Sequence, residues 1–345
     1  MLISKLYSRF LQQLPAETAH DLAIRSLGSP LAKITPVKQP DSPIELMGIH
    51  FPGRVGLAAG FDKNADAISG LSRLGFGFLE VGTVTPKPQT GNPKPRLFRL
   101  AKDRAIINRM GFNNKGVDYL VNQVQKSHYS GILGINIGKN KDTDNDKALD
   151  DYLICFQKTH FLADYITINI SSPNTPNLRA LQSKDSLNHL LSGLKQAQFD
   201  AQKKSGHYTP LVVKISPDEN PEQLKAIAEV LLETRIDGLI CTNTTISRPD
   251  HLNSAADLIN QTGGLSGAPL KTKATETLKS MREHLGTDFP IIAVGGIMNM
   301  ADARQRFECG ADLIQIYSGF VYHGPQLIDD INHGLTQPHG FTTQA

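Results

Sequence analysis

Residues 164–179 read DYITINISSPNTPNLR, a run that joins an apolar segment to a polar loop. The β-branched and aromatic residues of Tyr165–Ile170 predict a strand. Pro173 and Pro176 then exclude both a ladder and a helix. The strand therefore ends on a rigid loop that brings several uncharged hydrogen-bonding side chains to one place. An ordinary strand followed by a Pro-Asn turn is the alternative, and the surrounding chain decides between them.

From residue 44 onward, short apolar runs alternate with helical stretches, which is typical of βα units and a parallel sheet. A small hairpin is expected near Ile44–Phe51. The eight predicted strands are Val55–Ala59, Phe78–Thr83, Ile132–Ile137, Tyr165–Ile170, Leu211–Ile215, Gly238–Asn243, Ile291–Gly295 and Leu313–Tyr317. Helices are predicted over 65–74, 115–127, 146–161, 184–204, 221–233, 270–285, 300–308 and 325–335.

Eight such units predict an α/β fold, and among α/β folds they favour a closed (β/α)8 TIM barrel. An open doubly wound sheet calls for an early G-x-G-x-x-G turn, which the sequence lacks. Gly134–Asn140 has the look of a P-loop but is one residue short and lacks the final Ser/Thr. We therefore expect 41–337 to form the barrel, after a small helical domain at 1–40 and before a polar tail at 338–345.

The composition and the cysteine spacing limit which classes of protein this chain can belong to. The chain has 345 residues, 39% of them hydrophobic, so it can bury a sizeable core. Cys155, Cys241 and Cys309 are far apart and form no C-x-x-C pair. This spacing argues against a disulfide framework and against a zinc site, and it favours a reducing compartment. No metal is expected.

The net charge of +3 lies in the first 40 residues, where five basic side chains face two acidic ones. A neutral body argues against nucleic-acid binding, which needs a surface that neutralises phosphates. The basic segment suits an anionic membrane surface. Residues 1–14 have an apolar stripe at helical spacing, and a second short helix begins at Pro15. A helical hairpin packed on the body is the alternative to a segment that dips into lipid.

Each predicted strand ends on a residue that an apolar core does not require. Barrel enzymes build their sites from these strand ends, so we expect the set to converge. Its members are Lys63, Thr83, Asn136, Asn169, Lys214, Thr242, Asn243, Gly295, Gly296, Tyr317 and Ser318. The buried ammonium of Lys214 needs an anion. A reduced flavin carries such charge, and a nearby carboxylate is the alternative partner.

Glycine-rich segments follow the last two predicted strands, at 293–297 and 316–319, where barrels commonly hold a phosphate. A third such segment is 262–267. Each is compatible with a plain turn, but their placement predicts a phosphorylated cofactor. The loop 108–114 adds to a surplus of asparagines, and uncharged amides suit a planar heterocycle with imide groups. Arg96 and Arg99 either form a solvated face or line a second entrance.

Together these motifs resemble the dihydroorotate dehydrogenases, specifically the membrane-associated, quinone-linked class 2. The resemblance runs from about residue 18 to 335 and rests on ordered motifs. They are AAGFDK at 58–63, VGTVTP at 81–86, NRMGFN at 108–113, GINIGKN at 134–140, NISSPN at 169–174, CTNTT at 241–245, GGLSG at 263–267 and QIYSG at 315–319.

The resemblance implies an FMN enzyme that oxidises dihydroorotate to orotate in pyrimidine synthesis and passes electrons to a membrane quinone. Ser172 matches the catalytic base, where class 1 enzymes have a cysteine. The positions that match substrate contacts are Lys63, Asn108, Arg109, Met110, Gly111, Phe112, Asn169, Asn174, Asn243 and Thr244. Those that match flavin contacts are Ala59, Gly60, Phe61, Asp62, Lys63, Thr83, Asn136, Asn169, Lys214, Thr242, Gly267, Gly296, Tyr317 and Ser318. His20, Arg99 and Tyr317 resemble residues of the quinone site. The resemblance also implies peripheral attachment to the cytoplasmic side of the cell membrane.

Two details of the serine loop are specific to this chain. The family often has Gly at position 177, where this chain has Asn177, and we expect a left-handed backbone there because Asn tolerates it. We also expect Thr175 and Phe112 to shape a proton relay for Ser172. The alternatives are a tRNA dihydrouridine synthase, which needs a basic surface and usually a cysteine, and a membrane-docked flavin carrier without substrate chemistry.

Overall fold

The computed structural model describes residues 13–34 and 36–337. Eight parallel strands close into a barrel. Their bounds are Val55–Leu57 (β3), Phe78–Val84 (β4), Ile132–Ile137 (β7), Tyr165–Asn169 (β8), Leu211–Ile215 (β9), Gly238–Cys241 (β10), Ile291–Val294 (β12) and Leu313–Ile316 (β13). Their order around the barrel is β10-β12-β13-β3-β4-β7-β8-β9. The TIM barrel and all eight predicted strands are confirmed.

Helices pack around the barrel. Their bounds are Ala16–Leu27 (α1), Ile68–Leu71 (α2), Val117–Ser127 (α3), Ala148–Thr159 (α4), Lys184–Ser205 (α5), Pro221–Glu233 (α6), Ala256–Ile259 (α7), Lys271–Leu285 (α8), Met300–Glu308 (α9), Ser318–His323 (α10) and Pro325–Thr336 (α11). Short 3-10 turns occupy Pro30–Ile34, Ala101–Asp103, Asn145–Lys147, Leu178–Gln182 and Ala268–Leu270. In α5, Leu187, Leu190, Leu191 and Leu194 recur on one buried face, the pattern of a helix packed on a sheet.

The first predicted helix, 65–74, is much shorter in the structure. Ala65 has a φ of +62°, so the helix cannot include it. The buried Asp62 carboxylate instead accepts the backbone N–H groups of Asp66 and Ala67, at 2.9 and 2.7 Å. The chain becomes helical only from Ile68.

The predicted hairpin is present as β1 (Ile44–Leu46) and β2 (Ile49–Phe51), which pair antiparallel. Phe51 is fully buried and lies edge-on against Phe78 of β4, with ring centroids 5.3 Å apart. Phe78 begins its strand, so the hairpin packs at the amino-terminal end of the barrel. The opposite, carboxyl end remains available for a site.

A second sheet lies beside the barrel, and it was not predicted. Its strands are β5 (Leu97–Leu100), β6 (Ala105–Asn108) and β11 (Gly264–Gly267), all antiparallel. Asn108 pairs with Gly264 and Ala105 with Gly267. The 108–114 stretch had been expected only as part of a loop insertion. Periodicity within one window does not reveal a partner strand more than 150 residues away, which is why the sheet was missed.

Helix α1 is attached to this second sheet by a buried ion pair. Glu17 accepts from Arg96 at 2.8 Å, and only 14% and 8% of the two side chains are exposed. The predicted helix over 1–14 falls largely on residues outside the described part, as does the tail 338–345. Among residues 13–34 and 36–337, no helix combines the length and apolarity that crossing a bilayer requires.

Candidate active site

A cavity opens at the carboxyl ends of the barrel strands. It is lined by most of the residues that the sequence predicted for substrate, cofactor and catalysis. These are Ala59, Gly60, Lys63, Thr83, Asn108, Met110, Gly111, Phe112, Asn169, Ser172, Asn174, Lys214, Thr242, Asn243, Thr244, Gly267, Gly296, Tyr317 and Ser318. The strand-end constellation is therefore a single site in the folded chain, although the roles of its members stay predictions.

Ser172 lies in the loop after β8 and is almost completely buried. Its Oγ accepts the backbone N–H of Asn174 at 3.3 Å. Thr175 is buried nearby with no partner for its hydroxyl among the described residues, and no direct bond links it to Ser172. The proposed relay therefore stays a prediction. Asn177 has a φ of +55°, which confirms the left-handed backbone expected there.

The amides behind the cavity form a connected set. Asn169 Nδ2 donates to Thr83 Oγ1 at 2.9 Å, and Thr83 Oγ1 donates to Asn136 Oδ1 at 2.5 Å. Asn243 Nδ2 donates to Ser171 Oγ at 3.0 Å. Asn136 is fully buried and does not line the cavity. It supports the two side chains in front of it.

Two lysines place positive charge on the cavity wall. Lys214 is 5% exposed and has no ion pair within 4.0 Å among the described residues, so a carboxylate acts on it only from a longer distance. Burial lowers its pKa, and the Glu80 carboxylate opposes this shift. Burial also lowers the pKa of Lys63 to about 8, helped by the nearby charge of Arg96. Both ammonium groups would gain from an anionic ligand.

Backbone loops line the other end of the cavity. Gly296 has a φ of +73°, and a Cβ there would lie 2.4 Å from the Cα of Lys271. Only glycine fits this position, so the loop after β12 can pass close to both α8 and a ligand. The hydroxyls of Ser266 and Ser318 lie 2.8 Å apart at the same end. Backbone and hydroxyl groups with no carboxylate among them suit a phosphate.

An aromatic row leads from α1 to the cavity. His20 lies edge-on to Phe61 with centroids 5.4 Å apart, and Phe61 lies edge-on to Tyr317 at 5.9 Å. Burial and the charge of Lys63 lower the pKa of His20 to about 3, which keeps the imidazole neutral. Arg99 on β5 donates to the carbonyl of Leu14 at 3.4 Å. The three predicted quinone-site residues thus lie on α1, on β5 and on the cavity wall.

Three further predicted residues do not line the main cavity. Phe61 and Asp62 border a second, polar cavity beside α1. The Asp62 carboxylate already accepts hydrogen bonds from the backbone N–H groups of Asp66 and Ala67. The Arg109 guanidinium stacks on Phe98 at 4.6 Å and donates to Gln261 at 2.9 Å. Their assignment to cofactor or substrate stays a prediction that this geometry does not favour.

Sequence reasoning missed several lining residues, among them Ser266 and Gln315. It also missed Glu80, which lies below the cavity in the barrel interior. The sequence does contain a pattern that points to Glu80 and Gln315. Each is a polar residue inside an otherwise apolar strand, β4 and β13 respectively, the same pattern that pointed to Lys214.

The comparisons with known proteins agree with this geometry. The family model described as dihydroorotate dehydrogenase matches residues 43–338. A dihydroorotate dehydrogenase (quinone) of Saccharophagus degradans is 53% identical over 328 residues, covering 92% of this chain and 94% of the relative. One from Vibrio atlanticus is 50% identical, covering 94% and 97%.

A solved structure leads to the same family. The crystal structure of DHODH in complex with ferulenol from Eimeria tenella superposes with a TM-score of 0.86 at 40% identity, covering 92% of this chain and 89% of that one. The matched region spans the barrel, the second sheet and the loops that line the cavity. Dihydroorotate dehydrogenases are flavin-dependent. This chain belongs to the dihydroorotate dehydrogenase family.

Proposed function

We propose that this chain oxidises dihydroorotate to orotate in pyrimidine synthesis, with FMN as the hydride acceptor and a quinone as the final electron acceptor. The carrying observation is that Ser172, Lys63, Lys214 and Asn243, from four different strand ends, line one cavity. The relatives that are 50–53% identical to this chain are named dihydroorotate dehydrogenase (quinone).

The residues present fit FMN. Lys214 offers a buried ammonium with no ion pair among the described side chains, which suits the negative charge of a reduced ring. The loops around Gly267 and Gly296, with Ser318, suit the phosphate end. When bound, FMN supplies a two-electron acceptor that takes hydride from C6 of the substrate and later passes the electrons on.

The substrate-facing residues suit a small anionic heterocycle. Lys63 offers positive charge to a carboxylate, and the amides of Asn108, Asn174 and Asn243 offer donors and acceptors to the ring. The buried hydroxyl oxygen of Thr244 has no partner among the described residues, so it is available to a ligand. These residues would bind and orient the ring of the substrate in the cavity.

Ser172 takes the proton that leaves C5. A serine is a weak base at its ordinary pKa, so the loop must exclude water and orient the hydroxyl. The nearly complete burial of Ser172 and Thr175 meets the first requirement. Loss of a proton at C5 and of hydride at C6 leaves the double bond of orotate.

We further propose that quinone approaches along the row His20, Phe61 and Tyr317, and that residues 1–40 attach the chain peripherally to an anionic membrane surface on the cytoplasmic side. The apolar ring contacts and the neutral His20 suit an uncharged, lipid-soluble acceptor. The excess of basic residues in the first 40 suits anionic lipid.

Anaerobic stopped-flow spectroscopy tests this function in two steps. Dihydroorotate should bleach the flavin absorbance of the purified protein. The reduced protein is then mixed with a short-chain quinone, fumarate or NAD⁺, and only quinone should reoxidise it rapidly. Protein that cannot be loaded with FMN, or flavin that dihydroorotate does not bleach, would refute the proposal.

A further inference from the structure

Glu80 is a fully buried acidic residue in the middle of β4, inside the barrel and below the cavity. Three neutral donors surround its carboxylate. Asn136 Nδ2 lies 2.8 Å from Oε1, while the Tyr165 hydroxyl and Gln315 Nε2 lie 3.0 and 2.6 Å from Oε2. No described cation pairs with it within 4.0 Å, and the proposed reaction assigns it no role. A charge in this position needs an explanation, because burying it is costly.

The carboxylate sets the direction of the hydrogen bonds above it. An ionised carboxylate only accepts, so Asn136 must turn its NH₂ group toward Glu80 and its oxygen away. That oxygen accepts from Thr83 at 2.5 Å and from Asn169 at 3.2 Å. The Asn169 amide is thereby oriented with its own oxygen toward Asn243, whose Nδ2 lies 3.4 Å away. Four side chains of the cavity region thus follow one fixed donor-to-acceptor order.

The same carboxylate acts electrostatically on the cavity wall. Its negative charge opposes the effect of burial on the pKa of Lys214, which favours the charged ammonium. Glu80 lies on β4 and Lys214 on β9, with β7 and β8 between them in the barrel order, so this interaction acts across the barrel interior. Glu80 is therefore a counter-charge below the ring-binding end of the cavity.

We propose that Glu80 is a positioning residue of the flavin and substrate site. Its charge fixes the orientation of the Asn136, Asn169 and Asn243 amides, and it offsets the charge of Lys214 from outside the cavity. This inference rests on the proposed function and deepens it. Glu80 does not line the cavity, so its effect is transmitted through the side chains that do.

A matched pair of variants tests the role of the charge. Glu80→Gln removes the charge and adds a donor, so Asn136 is no longer held in one orientation. Tyr165→Phe removes one hydrogen bond to the same carboxylate and keeps its charge. For FMN-loaded Glu80→Gln we expect a more positive midpoint potential, because a negative charge near the ring is lost, and an orotate affinity lower by about tenfold or more. Tyr165→Phe should keep the wild-type potential and an affinity within about threefold.

The potential is measured by anaerobic dye titration, orotate binding by the change in flavin absorbance, and folding by thermal melting. Equal potentials and orotate affinities in the two variants would overturn the inference. If Glu80→Gln does not fold, Glu80→Asp takes its place: it should keep the wild-type potential but bind orotate more weakly, because the shorter carboxylate withdraws from Asn136. A shifted potential or unchanged orotate binding there would overturn the inference as well. Failure of the wild-type protein to bind FMN would instead refute the proposed function.

Discussion

Arg179 Nη1 lies 2.9 Å from Asp218 Oδ2, and this ion pair joins the serine loop to the loop after β9. The same guanidinium donates to the carbonyl of Ser171 at 3.2 Å and to that of Thr244 at 3.0 Å. Asp218 also accepts the backbone N–H of Ile246 at 2.9 Å. Hydrogen bonds from Lys273 and Thr245 outweigh burial and lower the pKa of Asp218, which keeps it charged. One guanidinium thus holds the backbone of Ser171, which precedes Ser172, close to the backbone of Thr244.

We expect Arg179→Lys to lower the limiting rate of flavin reduction by dihydroorotate by about tenfold to a hundredfold, because lysine cannot reach three separate acceptors and a small displacement of a reacting group is costly. The measurement is anaerobic stopped-flow absorbance at saturating substrate. Lys184→Gln is the control, because it breaks only the exposed pair with Glu229 on the neighbouring helices. A wild-type rate in Arg179→Lys would show that the loop is held by other contacts.

Replacing Ser172 with Ala should leave FMN bound while slowing flavin reduction by orders of magnitude, because the C5 proton loses its acceptor. The flavin spectrum after gel filtration reports cofactor content, and stopped-flow absorbance reports the rate. Reoxidation by quinone should be unaffected, since the role proposed for the hydroxyl is in substrate oxidation alone. Unchanged reduction by dihydroorotate would remove Ser172 from the mechanism.

The low pKa of His20 predicts a pH-dependent cost in stability. The unfolded chain binds a proton at His20 near pH 6.5, whereas the folded chain does so only near pH 3. Stability is therefore lost as the pH falls below about 6.5. At pH 5.5 this amounts to about 1.4 kcal/mol, which His20→Gln should not lose. Urea unfolding of both proteins at pH 7.5 and 5.5 gives the difference, and identical pH dependence would contradict the prediction.

Weakening the attachment of α1 should separate the two half-reactions. Glu17→Gln leaves the buried Arg96 without its carboxylate, which destabilises the packing of α1 on the second sheet. We expect quinone reoxidation to slow about tenfold, with flavin reduction by dihydroorotate unchanged. Lys94→Gln is the matched control, because it removes an ion pair with the same Glu17 from a side chain that is 63% exposed. Equal slowing of both half-reactions in Glu17→Gln would show that α1 serves the whole site.

Much of the fold was predictable because the strands and helices of the barrel each have a recognisable pattern in the local sequence. Each strand is a short apolar run, and each main helix has a buried face at helical spacing. Lys214 stood out because a charge inside a buried strand is rare. The left-handed backbone of Asn177 was predictable because Asn tolerates this conformation better than other non-Gly residues do.

Most of what escaped prediction depends on partners that lie far away in the sequence. The second sheet forms only when β11 meets β6, and Arg109 turns away from the cavity because Phe98 and Gln261 hold it. The helix predicted over 65–74 is short for a local reason, because the Asp62 carboxylate accepts the backbone N–H groups of Asp66 and Ala67. In the other two cases a contact between separate segments overrode the local pattern.

The pairing of β6 with β11 has a consequence for ligand size. Asn108 at one end of this ladder lines the proposed substrate side of the cavity, and Gly267 at the other end lines the proposed phosphate side. Three residue steps separate them, about 10 Å along a strand. A one-residue slip would turn Ser266 to the opposite face of the sheet. The spacing between Asn108 and Gly267 is therefore set by the register of this ladder, and an insertion in a loop outside the sheet leaves that spacing unchanged.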